Sequence, residues 1–377
     1  MADGDRPRQP DVRVHKRGSR HPGGWGVSLD ERAHRRIVRP HRRAGRMVVA
    51  PTPTPTVTVG ESPVQNRTMR SSGDQQEKEP PMTTPLTVFY SDDFIVENPP
   101  LETLEKPRLV ADRILSDRAG TVLLVAPTPA TRDELLRIHE AEWVDAIATG
   151  EPSDIANEVF SWSPSYATSV FASTGAVRDA VSHALAHGAA GALSAGLHHA
   201  RAELGAGYCT FNGLALGALA AIDAGAATVG ILDVDAHNGG GTFSILGSNP
   251  QVRFADVSVN SYDRWSPTAD RHHRVTVDSA DEYLEAVEEA LAHLEGVDLV
   301  IHNAGMDPHE GCGTGGKHGI NNAVLAEREA LVAQWLQRTG TPAAFALAGG
   351  YRGSGLDLDG IVDLHMLTVD AFAGLGR

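Results

Sequence analysis

A single α/β domain, a doubly wound parallel sheet flanked by helices, is predicted for residues 85–377 on three observations. From Leu86 onward short apolar runs alternate with helix-like segments, which is the pattern of successive βα units. The run 229–234 is β-branched and almost continuously apolar, as a strand buried on both faces of a parallel sheet must be. Polar motifs follow directly after four of the apolar runs, where the carboxyl ends of parallel strands open onto a ligand crevice.

Taken in order, the candidate strands are 86–90, 122–126, 191–195, 229–235, 252–259, 299–302 and 343–347. Helical patterns fall between them at 132–148, 173–187, 212–223, 281–294, 324–338 and 356–373. Thr131 before Arg132-Asp133-Glu134 reads as a capped helix start with acidic residues in its first turn. Gly239, Gly240 and Gly241 are expected to break regular structure after the central strand. Residues 1–84 show no sustained apolar period. They carry scattered Arg and His, a Pro-Thr repeat at 51–56 and a polar run at 71–81, and are read as a disordered basic extension. A solvated tail, a nucleic-acid-binding arm, or a start placed upstream of Met69 or Met82 all fit; mass spectrometry of the native N-terminus tests the last.

Charge divides the chain at the same place. Residues 1–81 hold 16 Lys and Arg against 9 Asp and Glu, so of the chain's 33 and 48 the remainder holds 17 and 39. An acidic domain disfavours nucleic acid as its substrate and suits cationic ligands. Two cysteines, Cys209 and Cys312, give no disulfide framework, and a reducing, cytoplasmic setting is expected. No apolar run approaches the roughly 18 residues of a membrane span, and no membrane association is expected.

The central motif is Asp233-Val-Asp235-Ala-His237. Spacing by two along an extended chain places the three polar side chains on one side. Buried carboxylates are costly unless paired or bound to a cation, so the motif asks for a metal; the alternative is a strand end whose aspartates cap the next helix. His302-Asn-Ala-Gly-Met-Asp307-Pro-His309 supplies one more carboxylate, with a turn-forming Asp-Pro as the competing reading. An Asp, His, Asp set leaves a coordination position open, as catalytic rather than structural sites do. His302 and His309 are read as structural or supporting. Gly196-Leu-His198-His199 offers imidazoles that titrate near neutral pH, although a surface pair is the ordinary explanation of such doublets. In Ala348-Gly349-Gly350-Tyr351 paired glycines let the backbone swing a phenol into a cleft, or simply form a loop with a packed tyrosine.

In this order the motifs resemble those of the histone deacetylase superfamily, which includes acetylpolyamine amidohydrolases and acetoin-utilisation proteins. The resemblance spans about 89–374 and rests on His198-His199-Ala, Gly207-Tyr208-Cys209, Asp233-x-Asp235-x-His237, Ala304-Gly-x-Asp307 and Gly349-Gly350-Tyr351. Arg137-Ile-His-Glu-Ala-Glu-Trp-Val144 is similar to the family's early helix. The resemblance implies the eight-stranded parallel sheet shared with arginases. It implies Asp235, His237 and Asp307 as ligands of Zn2+, with Fe2+ the other candidate, and Tyr351 as oxyanion donor. His198 and His199 become the proton-handling pair, His199 the general base, and Asp233 supports His198. Asp233 and Ser258 help form a monovalent-cation site, for K+. Gly207, Tyr208, Gly349 and Gly350 line the substrate channel. The implied activity is hydrolysis of an acylated amine, acetyl-lysine of proteins foremost, with acetylpolyamines or small metabolites as alternatives. Oligomeric state is not implied.

One departure stands out. Relatives carry an acidic or amide residue where this chain has Gly240, and that group orients the second histidine there, so what holds His199 is open. Gly240 therefore favours a competing reading as a non-catalytic binder of acylated lysine. Retention of every implied ligand, both histidines and Tyr351 weighs against it. A ureohydrolase reading lacks the carboxylates that two bridged metals need.

Overall fold

The computed structural model describes residues 84–99, 101–194 and 197–375. The basic extension read at 1–84 lies outside the described residues, Thr84 apart. Eight strands, β1 (Leu86–Phe89), β2 (Val122–Val125), β3 (Ala189–Ala192), β4 (Val229–Asp233), β5 (Val252–Ser258), β6 (His272–Thr276), β7 (Leu299–Ala304) and β8 (Ala343–Leu347), form one sheet ordered β2-β1-β3-β8-β7-β4-β5-β6. Every pairing is parallel. The helices among the described residues are α1 (Lys106–Asp117), α2 (Arg132–Leu135), α3 (Ala141–Thr149), α4 (Ser153–Ala156), α5 (Pro164–His187), α6 (Gly213–Asp223), α7 (Gly240–Leu246), α8 (Tyr283–His293), α9 (Asn322–Thr339) and α10 (Leu358–Ala373). None is long and apolar enough to cross a membrane.

The pleat sorts the core into two layers. Leu232, Val300 and Phe345 face a cluster with Ile114 of α1, Val287 of α8, Val332 of α9 and Val369 of α10. Their neighbours Ile231, Ile301 and Ala344 face the opposite cluster with Trp143 of α3, Val177 of α5 and Leu214 of α6. Both faces are thus covered, which is why β4 reads as an unbroken apolar run. Burying each of Val229, Ile231 and Leu232 fully contributes about 1.5–3 kcal/mol. The long helix α5 begins at Ser163, whose side chain accepts from Tyr166 N, and is buried along Ala172, Ala176, Ala180 and Ala184. It meets α6 through Val177 and Val181, which lie against Gly213 and Gly217.

Three expectations are corrected. The strand reading found seven strands and missed β6: His272-His-Arg-Val-Thr276 is polar, and at the sheet edge it is only partly buried. The helix expected over 132–148 is two helices. Thr131 caps the first in a capping box with Glu134, but the chain then breaks, because buried His139 donates from Nδ1 to Arg201 O (2.7 Å) and accepts from Asn212 N at Nε2 (3.0 Å). Glu140 N also donates to Ala202 O at 2.7 Å. Tertiary bonds to the segment after β3 outcompete helix continuation. Finally, Gly240 and Gly241 open α7 instead of interrupting structure. A Cβ on Gly241 would lie 2.3 Å from the His199 backbone carbon, so the helix can start there only on glycine.

Candidate active site

The four motif-bearing strands are neighbours, β3-β8-β7-β4, although in sequence β3 and β8 lie at 189–192 and 343–347. Their carboxyl-end loops therefore meet. Asp235 and His237 come from the loop after β4, Asp307 from that after β7, His198 and His199 from that after β3, and Tyr351 from that after β8.

One ligand atom from each of Asp235, His237 and Asp307 lies within 4.8 Å of the others, and all three residues are buried. Backbone amides hold the carboxylates: Gly349 N donates to Asp235 Oδ2 (2.8 Å), His237 N to Asp235 Oδ1 (3.1 Å) and Ala236 N to Asp307 Oδ1 (3.0 Å). His237 Nδ1 is 3.2 Å from Asp235 Oδ1 and 3.1 Å from Asp307 Oδ2. Asp307 Oδ2 is buried without a well-formed hydrogen bond, while His237 Nδ1 shares one with Asp235 Oδ1. Burial and the Asp235 carboxylate push the Asp307 carboxyl up to about 6. Two buried carboxylates and one imidazole nitrogen, with one oxygen unsatisfied, fit a divalent cation of the zinc or iron(II) type. A Cβ on Gly349 would lie 2.3 Å from Asp307 Oδ2 and 2.6 Å from Asp235 Oδ2, so only glycine admits both carboxylates.

Asp233 is turned away from this centre. Its Oδ2 accepts from His198 Nδ1 (2.8 Å), and its Oδ1 accepts from Asn303 Nδ2 (2.8 Å) and Asp235 N (3.2 Å). Burial opposes charge on His198, but Asp233 and Asp235 outweigh it and push the imidazole up to about 10. His199, its ring 3.9 Å from that of His198, is pushed down to about 4 by burial and by the His198 charge. The two imidazoles are thereby pushed in opposite directions. His199 Nδ1 donates to Asp263 Oδ2 at 2.9 Å.

Among the implied channel residues, Gly207 (φ +51) abuts His199, whose Cδ2 would be 2.2 Å from a Cβ there. Tyr208, also at positive φ (67°), stacks on Phe160 at 5.9 Å, and its ring is 5.8 Å from that of Tyr351. Tyr208 is 42% exposed. Gly350 packs against His365, and Gly349 lies against the Asp307 and Asp235 carboxylates. Ser258 ends β5 with its hydroxyl 2.9 Å from Thr276 Oγ1 and its carbonyl accepting from Val277 N (2.9 Å). His302 meets Glu329 (3.2 Å) and His309 meets Asn322 (2.8 Å), both as supporting residues.

Sequence reading missed three neighbours. Tyr262 stands edge-on to His199 (5.0 Å) and His237 (5.9 Å) and is 49% exposed. It follows β5, next to β4, so the rule that found the other loops could have found it. Asp263 adjoins it. Lys106 of α1 is fully buried, with Nζ donating to Ala348 O, and burial pulls its pKa down to about 8.

Comparison with known proteins gives the family. Residues 101–359 match the Histone deacetylase domain family. An uncharacterized protein of Picosynechococcus sp. is 29% identical over 70% of this chain and 91% of its own. Histone deacetylase 2 of Arabidopsis thaliana is 27% identical over 64% of this chain and 66% of its own. Among solved structures, the HDA15 HD domain superposes with a TM-score of 0.63 at 22% identity, covering 78% of this chain and 90% of that one. Acetylpolyamine aminohydrolase from Burkholderia pseudomallei gives 0.62 at 16% identity, covering 77% and 99%. With the matched region enclosing all four of the motif-bearing strand ends, the chain belongs to the histone deacetylase family.

Proposed function

We propose that the protein is a metal-dependent amidohydrolase that removes an acetyl group from an amine, with acetyl-lysine of proteins as its substrate. The observation that carries this is the Asp235, His237 and Asp307 cluster, with its unsatisfied Asp307 Oδ2, beside a split pair of histidines. Asp235, His237 and Asp307 hold Zn2+ or Fe2+, which when bound supplies a Lewis acid for the amide carbonyl and acidifies water. His199, neutral and engaged at Nδ1, accepts the proton of the attacking water at Nε2 and returns it to the departing amine nitrogen. His198 keeps its proton and stabilises developing negative charge. Burial and the Asp307 and Asp235 carboxylates raise Tyr351 well above the ordinary tyrosine value, so its hydroxyl remains a donor to the oxyanion. Tyr208 and Tyr262 flank the acyl-amine chain, and Asp233 and Ser258 contribute to a K+ site.

The test is a panel of acetyl-lysine peptides and acetylated polyamines, run with metal-loaded and metal-stripped protein. Turnover is expected on acetyl-lysine peptides, lost on stripping and restored by Zn2+ or Fe2+. Turnover by stripped protein would overturn the mechanism, and preference for polyamines would overturn the substrate. Binding without turnover in the loaded protein would favour the non-catalytic reading.

A further inference from the structure

We propose that Asp263, from the loop after β5, is the positioning residue that orients His199, and that the missing side chain at Gly240 is the condition for its being there. As a part of the amide hydrolysis this rests on the function proposed above; as a structural assignment it does not.

The carboxylate is tied at both oxygens. Oδ2 accepts from His199 Nδ1 (2.9 Å) and from Gly241 N (3.0 Å), while Oδ1 accepts from Arg201 Nη2. Arg201 is two residues beyond His199, so one short segment supplies both the imidazole and the cation that fixes its acceptor. The carboxylate is only 7% exposed, and a buried charge in that position needs the full set of partners it has. Because Oδ2 can only accept, it selects the tautomer of His199 with hydrogen on Nδ1 and leaves the Nε2 lone pair free.

Gly240 explains how the acid reaches the imidazole. A Cβ at that position would lie 2.3 Å from the Asp263 carbonyl oxygen, 2.5 Å from Oδ1 and 2.7 Å from Cγ. The space beside His199 that a side chain on residue 240 would enter is already filled by residue 263, backbone and carboxylate together. The loop is latched in place by Asn238, whose N donates to Tyr262 O (3.1 Å) and whose Nδ2 donates to Asn260 O (2.8 Å). Asp263 itself sits at φ 54°, a left-handed conformation that aspartate tolerates better than most residues but at some cost. Such strain is retained where surrounding bonds over-determine the geometry, as they do here.

The test uses full-length Asp263→Asn, Asp263→Ala, Gly240→Ala and the Gly240→Ala/Asp263→Ala pair, with thermal melts to confirm folding. In Asp263→Asn the amide oxygen can still accept from His199 and Gly241, but its amino group cannot accept from Arg201, so that bond is lost and kcat is expected to fall by less than in Asp263→Ala. Asp263→Ala is expected to lower kcat about 10–100-fold with KM little changed. Gly240→Ala displaces the loop and has a similar effect, and the pair falls no further than Asp263→Ala alone. Independently of activity, 15N NMR of metal-stripped protein is expected to show His199 protonated at Nδ1 in the parent and Asp263→Asn, with that preference lost in Asp263→Ala. An unchanged His199 tautomer in Asp263→Ala would overturn the assignment, as would full additivity of the pair. If no acyl-amine is turned over, the proposed function fails and the His199 tautomer alone decides the role of Asp263.

Discussion

Replacing Tyr351 by phenylalanine is expected to lower kcat on an acetyl-lysine peptide by about 10²–10³-fold, with KM and bound metal nearly unchanged. The change removes one oxygen and keeps the ring, so packing against Tyr208, with ring centres 5.8 Å apart, survives. The backbone is held independently of the hydroxyl: Tyr351 N donates to Cys312 Sγ (3.2 Å), Cys312 Sγ donates to Tyr351 O (3.1 Å), and Gly349 N is bonded to Asp235. In the proposed mechanism what is lost is a donor to charge that develops only during the reaction, and such a loss appears in kcat rather than in substrate affinity. Stopped or coupled assays of released acetate measure it. A Tyr351→Phe protein as fast as the parent would remove Tyr351 from the mechanism.

How much of this could be read from the sequence depends on how local each feature is. Asp233, Asp235 and His237 were legible because three chemically distinctive residues fall within five positions at the end of an apolar run. Convergence of His198, Asp307 and Tyr351 was legible through the rule that parallel strands open at their carboxyl ends, and the order β3-β8-β7-β4 gives it physical form. The break after α2 was not legible, because its cause is the bonding of His139 to Arg201 and Asn212, far along the chain. Strand β6 escaped because an edge strand need not be apolar. Gly240 was legible as a gap but not as a consequence. The acid that fills the space, Asp263, is 64 positions from His199 and looks like any aspartate in a loop. With Asp263 beside His199, Gly240 no longer favours a non-catalytic binder.

Arg328→Met is expected to destabilise the fold by about 3–5 kcal/mol, the cost of leaving a buried partner charge unpaired. Arg328, on α9, is fully buried. It donates to Gly305 O (2.7 Å), Val234 O (3.4 Å), Tyr283 Oη (3.0 Å) and Glu329 Oε1 (2.8 Å). Val234 adjoins Asp235, and Gly305 is two residues before Asp307, so one guanidinium ties together the two loops that carry the candidate ligands. Methionine fills the volume but accepts none of these duties. Changing Glu329 to methionine as well removes the stranded carboxylate, and the double variant is expected to recover much of the stability while the loops remain untied. Urea unfolding of the metal-stripped proteins measures the first effect, and Zn2+ titration measures the second, expected as weaker binding in both variants. The same cluster sets an acid limit. Burial would raise Glu329, but Arg328 and His302 outweigh it and hold the carboxyl down from 4.5 to about 2. A carboxyl depressed in the folded state contributes stability that is present above the unfolded value and lost as pH falls through the folded one, here on the order of 3 kcal/mol between 4.5 and 2. Glu329→Gln is expected to flatten the fall of the melting temperature across that window, and an Arg328→Met protein within about 1 kcal/mol of the parent would show that the buried pair does not hold the loops.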